Sequence, residues 1–305
     1  MAFQSYSYHY LIAGFLNIAI LAGMLILLLR NFFRKRTVGT FLLILAYGSL
    51  LTNEVLTTTA FIHEALYSTI PSAVTIAKIL QLTGVLCLVY TINWMYFFGN
   101  RHLIRDNDLF KSLYTSIFGA FIGVIAGLAY QDIIIDSSNP TWYSEIDLAG
   151  ADFNLYYPSI EWPQIILIVG LFAIGSYTYV RLALRTFVLQ RKAKDIVTKK
   201  GLRTVSVSII FLLLTGLSLG AYIFGANTNA NIASLLYVIR GFIVIIAVVT
   251  GYIGWIMPEW IRKRWRGTAW ITKVYTGKAP QPPKSAANQE IIDGSTNQFV
   301  EVSDS

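Results

Sequence analysis

Glu54, Lys78 and Arg240 are charged side chains embedded in long apolar runs. A charge placed in hydrocarbon costs about 2.5–3.5 kcal/mol on insertion scales, so such residues point first to a functional site. Counting at about 1.5 Å per helical residue puts all three roughly 9–14 Å below one end of their runs. Asn17 falls at a similar depth. Thr57 and Thr58 follow Glu54 by three and four positions, Thr75 and Gln81 flank Lys78 by three, and Tyr237 precedes Arg240 by three. These spacings continue the polarity along one helical face. Glu54 neutralises one cation but not two. The excess positive charge calls for backbone carbonyls, a loop carboxylate such as Glu161, water or a bound anion. Three readings stay open: a structural ion-pair network, an ion or proton path, and a pocket for a small anionic ligand lined by Asn17, Glu54, Lys78, Gln81, Tyr237 and Arg240.

Helices must position these residues. The 305-residue chain is 55% hydrophobic and only 13% charged, against about 25% charged in an ordinary soluble domain. A membrane span needs about 20 apolar residues. Seven such runs cover about residues 9–30, 38–61, 72–98, 110–130, 163–187, 203–225 and 231–257. The expected fold is an all-α, polytopic seven-transmembrane bundle in a cell membrane.

Charge sets the expected orientation. Of the 24 Lys and Arg residues, all but Lys78 and Arg240 fall on one side of the seven runs. The opposite loops hold acids and no cations. The positive-inside rule then places the N-terminus outside and the C-terminus in the cytoplasm. The first run has no Lys or Arg before it and Arg30, Arg34, Lys35 and Arg36 after it, the reverse of a signal peptide. The net charge of +8 therefore reads as topology and attraction to an anionic inner leaflet rather than nucleic-acid binding.

Outside the runs, the longest connection is 131–162, with aromatic residues suited to packing over the bundle mouth. Residues 259–271 read as a basic amphipathic interfacial helix, and 272–305 as a disordered cytoplasmic tail. No soluble segment is expected to form a domain, so any signal would pass to a separate cytoplasmic protein, with the basic stretch 181–203 as the readout loop. Gly119, Gly123 and Gly127 make two G-x-x-x-G steps in the fourth run, and Gly216 and Gly220 one in the sixth. Such faces permit close helix contact, within the bundle or in a homodimer.

Catalytic signals are absent: there is no G-x-S-x-G, no H-E-x-x-H and no paired membrane aspartates. His9, His63 and His102 have no metal-ligand spacing, and no cofactor is expected. The inner halves are apolar, as in Phe242 to Val249 and Phe41 to Ala46, with Asn93 the clearest polar exception. A transport path needs polar groups along its length; a receptor needs them only at its ligand. Small-solute transport and a non-catalytic structural subunit remain the alternatives.

Seven runs with an outside N-terminus share the layout of G-protein-coupled receptors and microbial rhodopsins. The seventh run, however, has no lysine for retinal, and the third ends in Gly99-Asn100-Arg101-His102 rather than Glu/Asp-Arg-Tyr. The span count, the length and the exit Trp255-Ile256-Met257-Pro258-Glu259-Trp260 resemble the seven-transmembrane sensor modules at the N-termini of prokaryotic histidine kinases, over about residues 8–260. That resemblance implies a membrane sensor without its own kinase domain.

Overall fold

The computed structural model describes residues 5–67, 69–134, 142–147, 152–159, 164–226 and 230–265. Seven helices are long and apolar enough to cross a membrane. They are α1 (Ser5–Lys35), α2 (Val38–Tyr67), α3 (Pro71–Gly99), α4 (Asp108–Ile134), α5 (Gln164–Lys192), α6 (Ile196–Ala226) and α7 (Ala230–Ile256). Each has 27 to 31 residues, about 40–46 Å at 1.5 Å per residue. The hydrocarbon core is only about 30 Å thick, so the helices run past it. The basic stretch 181–203 is consequently not a loop. α5 continues through Arg181, Arg185 and Arg191, α6 carries Lys199, Lys200 and Arg203, and only residues 193–195 connect them. Lys and Arg are good helix formers, so charge marks where the hydrocarbon ends and not where the helix ends.

Local sequence accounts for the starts and stops. Pro71 opens α3, where its missing N–H would have no partner anyway. Asn107 Oδ1 accepts the N–H of Phe110 at 2.9 Å, and Asp195 Oδ2 that of Thr198 at 2.8 Å, capping α4 and α6. α3 runs into a π-helical turn, Asn100–Ile104, which stops at Arg105 in the left-handed region (φ 60°). Met257 (φ 45°) and Pro258 close α7. Residues 259–265 form a separate short helix. The rest of the proposed interfacial helix, 266–271, and the tail 272–305 lie outside the described residues.

Hydropathy alone did not mark a further element. Within the long connection, β1 (Tyr143–Asp147) pairs antiparallel with β2 (Asn154–Pro158), Tyr143 opposite Pro158 and Asp147 opposite Asn154. Alternation is weak in five-residue strands, and tertiary contacts decide such segments. The hairpin caps the bundle end opposite the basic helix ends. Its own Tyr143, Leu155, Tyr156 and Tyr157, and Phe153 just before β2, are buried.

The packing is uneven along the bundle. Toward the basic end, Leu28, Leu43, Met95, Leu182, Val205 and Val248 belong to one continuous apolar core. Toward the hairpin end, Tyr10, Phe61, Phe153, Tyr222 and Tyr237 form an aromatic core. Helices approach closely at isolated glycines, two of them beside the charged layer. A Cβ on Gly84 of α3 would sit 3.0 Å from Thr57 Oγ1 of α2, and one on Gly241 of α7 would sit 3.0 Å from Asn17 Nδ2 of α1.

Candidate functional site

The charged layer is two networks. In the first, Glu54 of α2 is the hub. Its Oε1 accepts from Arg240 Nη2 at 3.0 Å and from Asn53 Nδ2 at 3.0 Å; its Oε2 accepts from Asn17 Nδ2 at 3.1 Å. The ion pair joins α2 to α7, and Asn17 adds α1. Both charged side chains are almost fully buried, 5% exposed for Arg240 and 2% for Glu54. Low local dielectric strengthens such bonds and penalises any group left unpaired. Arg240 Nε is one such group, a buried donor with no partner among the described residues. Tyr237, one turn before Arg240, lies with its ring 5.9 Å from the guanidinium, and its hydroxyl is buried without a partner. Asn53 was not singled out from the sequence. Its signal was an amide beside a membrane carboxylate.

Lys78 belongs to the second network, on the hairpin. Its Nζ donates to Tyr143 Oη at 3.0 Å and pairs with Glu145 Oε2 at 3.5 Å. The same ammonium lies 4.9 Å and 5.2 Å from the ring centres of Tyr143 and Tyr156, within cation–π range. Gln81, one turn further along α3, grips the β2 backbone at two points. Its Nε2 donates to the Asn154 carbonyl at 2.9 Å and its Oε1 accepts the Tyr156 N–H at 3.0 Å. Tyr156 Oη donates to Glu64 Oε1 of α2 at 2.7 Å. Burial pushes the Tyr156 phenol well above its ordinary value, and the Glu64 and Glu145 carboxylates push it further.

Six residues singled out from the sequence thus divide. Asn17, Glu54, Arg240 and Tyr237 come together; Lys78 and Gln81 meet the hairpin instead. Each cation has its own carboxylate, and the one serving Lys78 is Glu145. Glu161 lies outside the described residues.

The hairpin touches four helices and connects the networks. Besides Gln81 and Glu64, Asp132 Oδ2 of α4 accepts the Trp142 N–H at 2.5 Å, and Ser7 Oγ of α1 accepts the Asp152 N–H at 2.9 Å. Phe153, beside Asp152, descends into the aromatic core. It stacks on Phe61 at 4.2 Å and meets Tyr10 edge-on at 5.6 Å. Tyr10 in turn packs against Tyr237 at 4.9 Å. A chain of ring contacts therefore leads from the hairpin to the residue one turn from Arg240.

At the basic end, Arg181 of α5 clasps Asp106 through both carboxylate oxygens, at 2.9 and 2.6 Å, and Tyr96 Oη donates to Asp106 at 3.1 Å. Asn100 Oδ1, in the π turn, accepts the Asp106 N–H at 2.6 Å. This clasp ties the end of α3 to α5. Bidentate Arg–carboxylate pairs are the geometrically specific kind.

The glycine steps make no close contact among the described residues. Cβ atoms on Gly119, Gly123 and Gly127 would meet nothing within 4 Å, and all three are exposed. Gly220 also faces open space, and Gly216 has only Phe172 at 3.8 Å. Both line a cavity of about 290 Å³ between α3, α5 and α6.

His9 Nδ1 bonds Ser234 Oγ at 3.1 Å, His63 packs on Tyr67 at 5.3 Å, and no cluster of metal-ligating side chains occurs among the described residues. No protein-family model and no curated protein matches the chain.

Proposed function

We infer that this protein is a receptor-like membrane sensor whose moving part is the β1–β2 hairpin. The observation behind this reading is the placement of Phe153. A hairpin held to α1–α4 by side-chain hydrogen bonds lowers one aromatic ring into the core, where Tyr10 and Phe61 link it to Tyr237, one turn before the buried Arg240. Lifting the hairpin withdraws that ring. The Tyr10 and Tyr237 rings then lose a neighbour, and α1 and α7 gain freedom about their shared knot.

In this reading the hairpin end faces outside and the basic helix ends face the cytoplasm, as the one-sided cations require. The ligand is small and carries an anionic group. It takes the place of Glu145, whose side chain is 42% exposed, against Lys78, whose side chain is 13% exposed. Glu54 and Arg240 hold each other too well to be the entry point; they relay the change. The output surface is the basic end, where the Asp106–Arg181 clasp and the helix ends meet a separate cytoplasmic protein. The apolar core there leaves the bundle without a continuous polar path, which weighs against transport.

The test uses the full chain in lipid nanodiscs and a panel of small mono- and dicarboxylates. A binder should raise the melting temperature of the native protein and not of Lys78→Met, and should increase amide exchange in β2 and at the cytoplasmic end of α5. Counterflow of the same solute in liposomes would overturn the sensor reading in favour of a transporter.

A further inference from the structure

The cavity between α3, α5 and α6 has no part in the hairpin networks. Its walls include Val85 and Val89 of α3, Ile168 and Phe172 of α5, and Leu213 and Gly216 of α6. Carbon lines it almost throughout. Two of its hydroxyl groups are already committed to backbone carbonyls: Thr215 Oγ1 donates to Phe211 and Thr91 Oγ1 toward Ala46. The site therefore offers no charge and little hydrogen bonding to an occupant. Water needs two to four polar partners to stay in such a space.

Its position selects the occupant. The floor is Leu50, Tyr179 and Leu212, which belong to the basic-end core. Pro158 of β2 and Ile165 stand at the hairpin end. From Ile165 to Tyr179 the α5 wall runs about 21 Å at 1.5 Å per residue, so the slot extends from the hairpin end to mid-bundle. The side is open. Val169 of α5 is 57% exposed and Leu217 of α6 is 52% exposed, and both line the cavity. In a bundle of seven membrane-length helices, that flank meets lipid tails and not water.

Gly216 and Gly220 keep the slot open. A side chain at either position would project into the space without first striking backbone. Leucine there would close it. The geometry points to a binding site for one acyl chain of a bilayer phospholipid, taken laterally between α5 and α6 from the leaflet on the hairpin side, with the headgroup left at the bilayer surface. A volume of about 290 Å³ spread along a wall of about 21 Å suits a single linear chain. The occupant fills the space between α3, α5 and α6, so the lipid is part of the folded structure.

The experiment uses the full chain in nanodiscs doped with phosphatidylcholine bearing a photoreactive diazirine in one tail. Labelled residues are mapped by mass spectrometry. Labelling at Val169, Phe172 and Leu217 should saturate with rising probe and be competed by unlabelled phosphatidylcholine. Labelling at Leu113, exposed on α4, should rise linearly, as for bulk lipid. Gly216→Leu with Gly220→Leu should lower the cavity labelling at least tenfold and leave Leu113 unchanged. Linear labelling at the cavity residues of the native protein overturns the proposal without needing the variant to fold. So does unchanged labelling in a folded variant. Competition by free dodecanoate but not by phosphatidylcholine also overturns it, and would identify a free single-chain amphiphile as the occupant.

Discussion

The two intramembrane cations look equivalent in sequence and behave differently in the fold. Arg240 is locked to Glu54 with both side chains nearly dry, and two asparagines complete the carboxylate. Lys78 meets Glu145 at 3.5 Å across a boundary that leaves the glutamate 42% exposed. The first pair joins three transmembrane helices; the second joins one helix to a hairpin. Attraction between opposite charges is common to both. Desolvation is not, and it sets what each pair is worth. Breaking a buried pair strands a charge and costs several kcal/mol, whereas exposed pairs contribute about 0–1 kcal/mol. One site is therefore a fixed joint and the other a latch that a competing anion can open.

The largest expected effect comes from breaking the joint on one side. Glu54→Gln should destabilise the protein by about 3–5 kcal/mol, read as a lower melting temperature in nanodiscs. Replacing both partners, Glu54→Gln with Arg240→Leu, should recover much of that loss. If the double variant is no more stable than the single, the pair is not the joint described. Next comes the wedge. Phe153→Ala empties a stacked ring position and should cost about 3 kcal/mol locally. Faster amide exchange in β2 with little change in α3 would place the loss at the hairpin; an equal rise throughout the bundle would not.

Gln81→Ala removes both grips on the β2 backbone and should loosen the hairpin by about 1–3 kcal/mol, again by amide exchange. Lys78→Met removes a half-exposed pair together with the bond to Tyr143 and two ring contacts and should lower thermal stability by about 1–2 kcal/mol, below the effect of Glu54→Gln; a comparable loss would erase the distinction between joint and latch. The smallest effect near neutral pH is that of proton concentration on Tyr156. Its phenol is held above the ordinary value when the hairpin is docked. The stabilisation is complete below the free phenol's value of about 10, and is lost as the pH rises above it, because the undocked phenol ionises first. Hairpin protection should be flat from neutrality to about pH 9 and fall above about pH 10; Tyr156→Phe should remove that part of the fall.

The legible part of the fold was the part governed by hydrocarbon. Seven long apolar runs became seven membrane-length helices because an isolated span must satisfy its own backbone. The hairpin was not legible: its strands are five residues long and are held mainly by Gln81, Glu64, Asp132 and Ser7 from distant helices. Within the site, Glu54, Arg240, Asn17 and Tyr237 announced themselves through the cost of polar groups at membrane depth. Asn53 and Phe153 did not, since an asparagine beside a carboxylate and a phenylalanine in a loop gain their roles only from their neighbours.

Composition and periodicity by themselves determined the membrane class, the number of crossing helices and which residues had to find polar partners, because solvation energy depends on the residue and its depth alone. Partner choice needed the tertiary structure. Equal depth placed Lys78 and Arg240 together as candidates for one carboxylate, but helical phase and helix order turned Arg240 toward Glu54 and Lys78 toward a hairpin more than sixty residues away in sequence. The same holds for the glycine steps. Their spacing allows close helix approach, yet among the described residues no neighbour uses it in α4 and a cavity lies beside α6, because contact depends on which face the rest of the bundle covers.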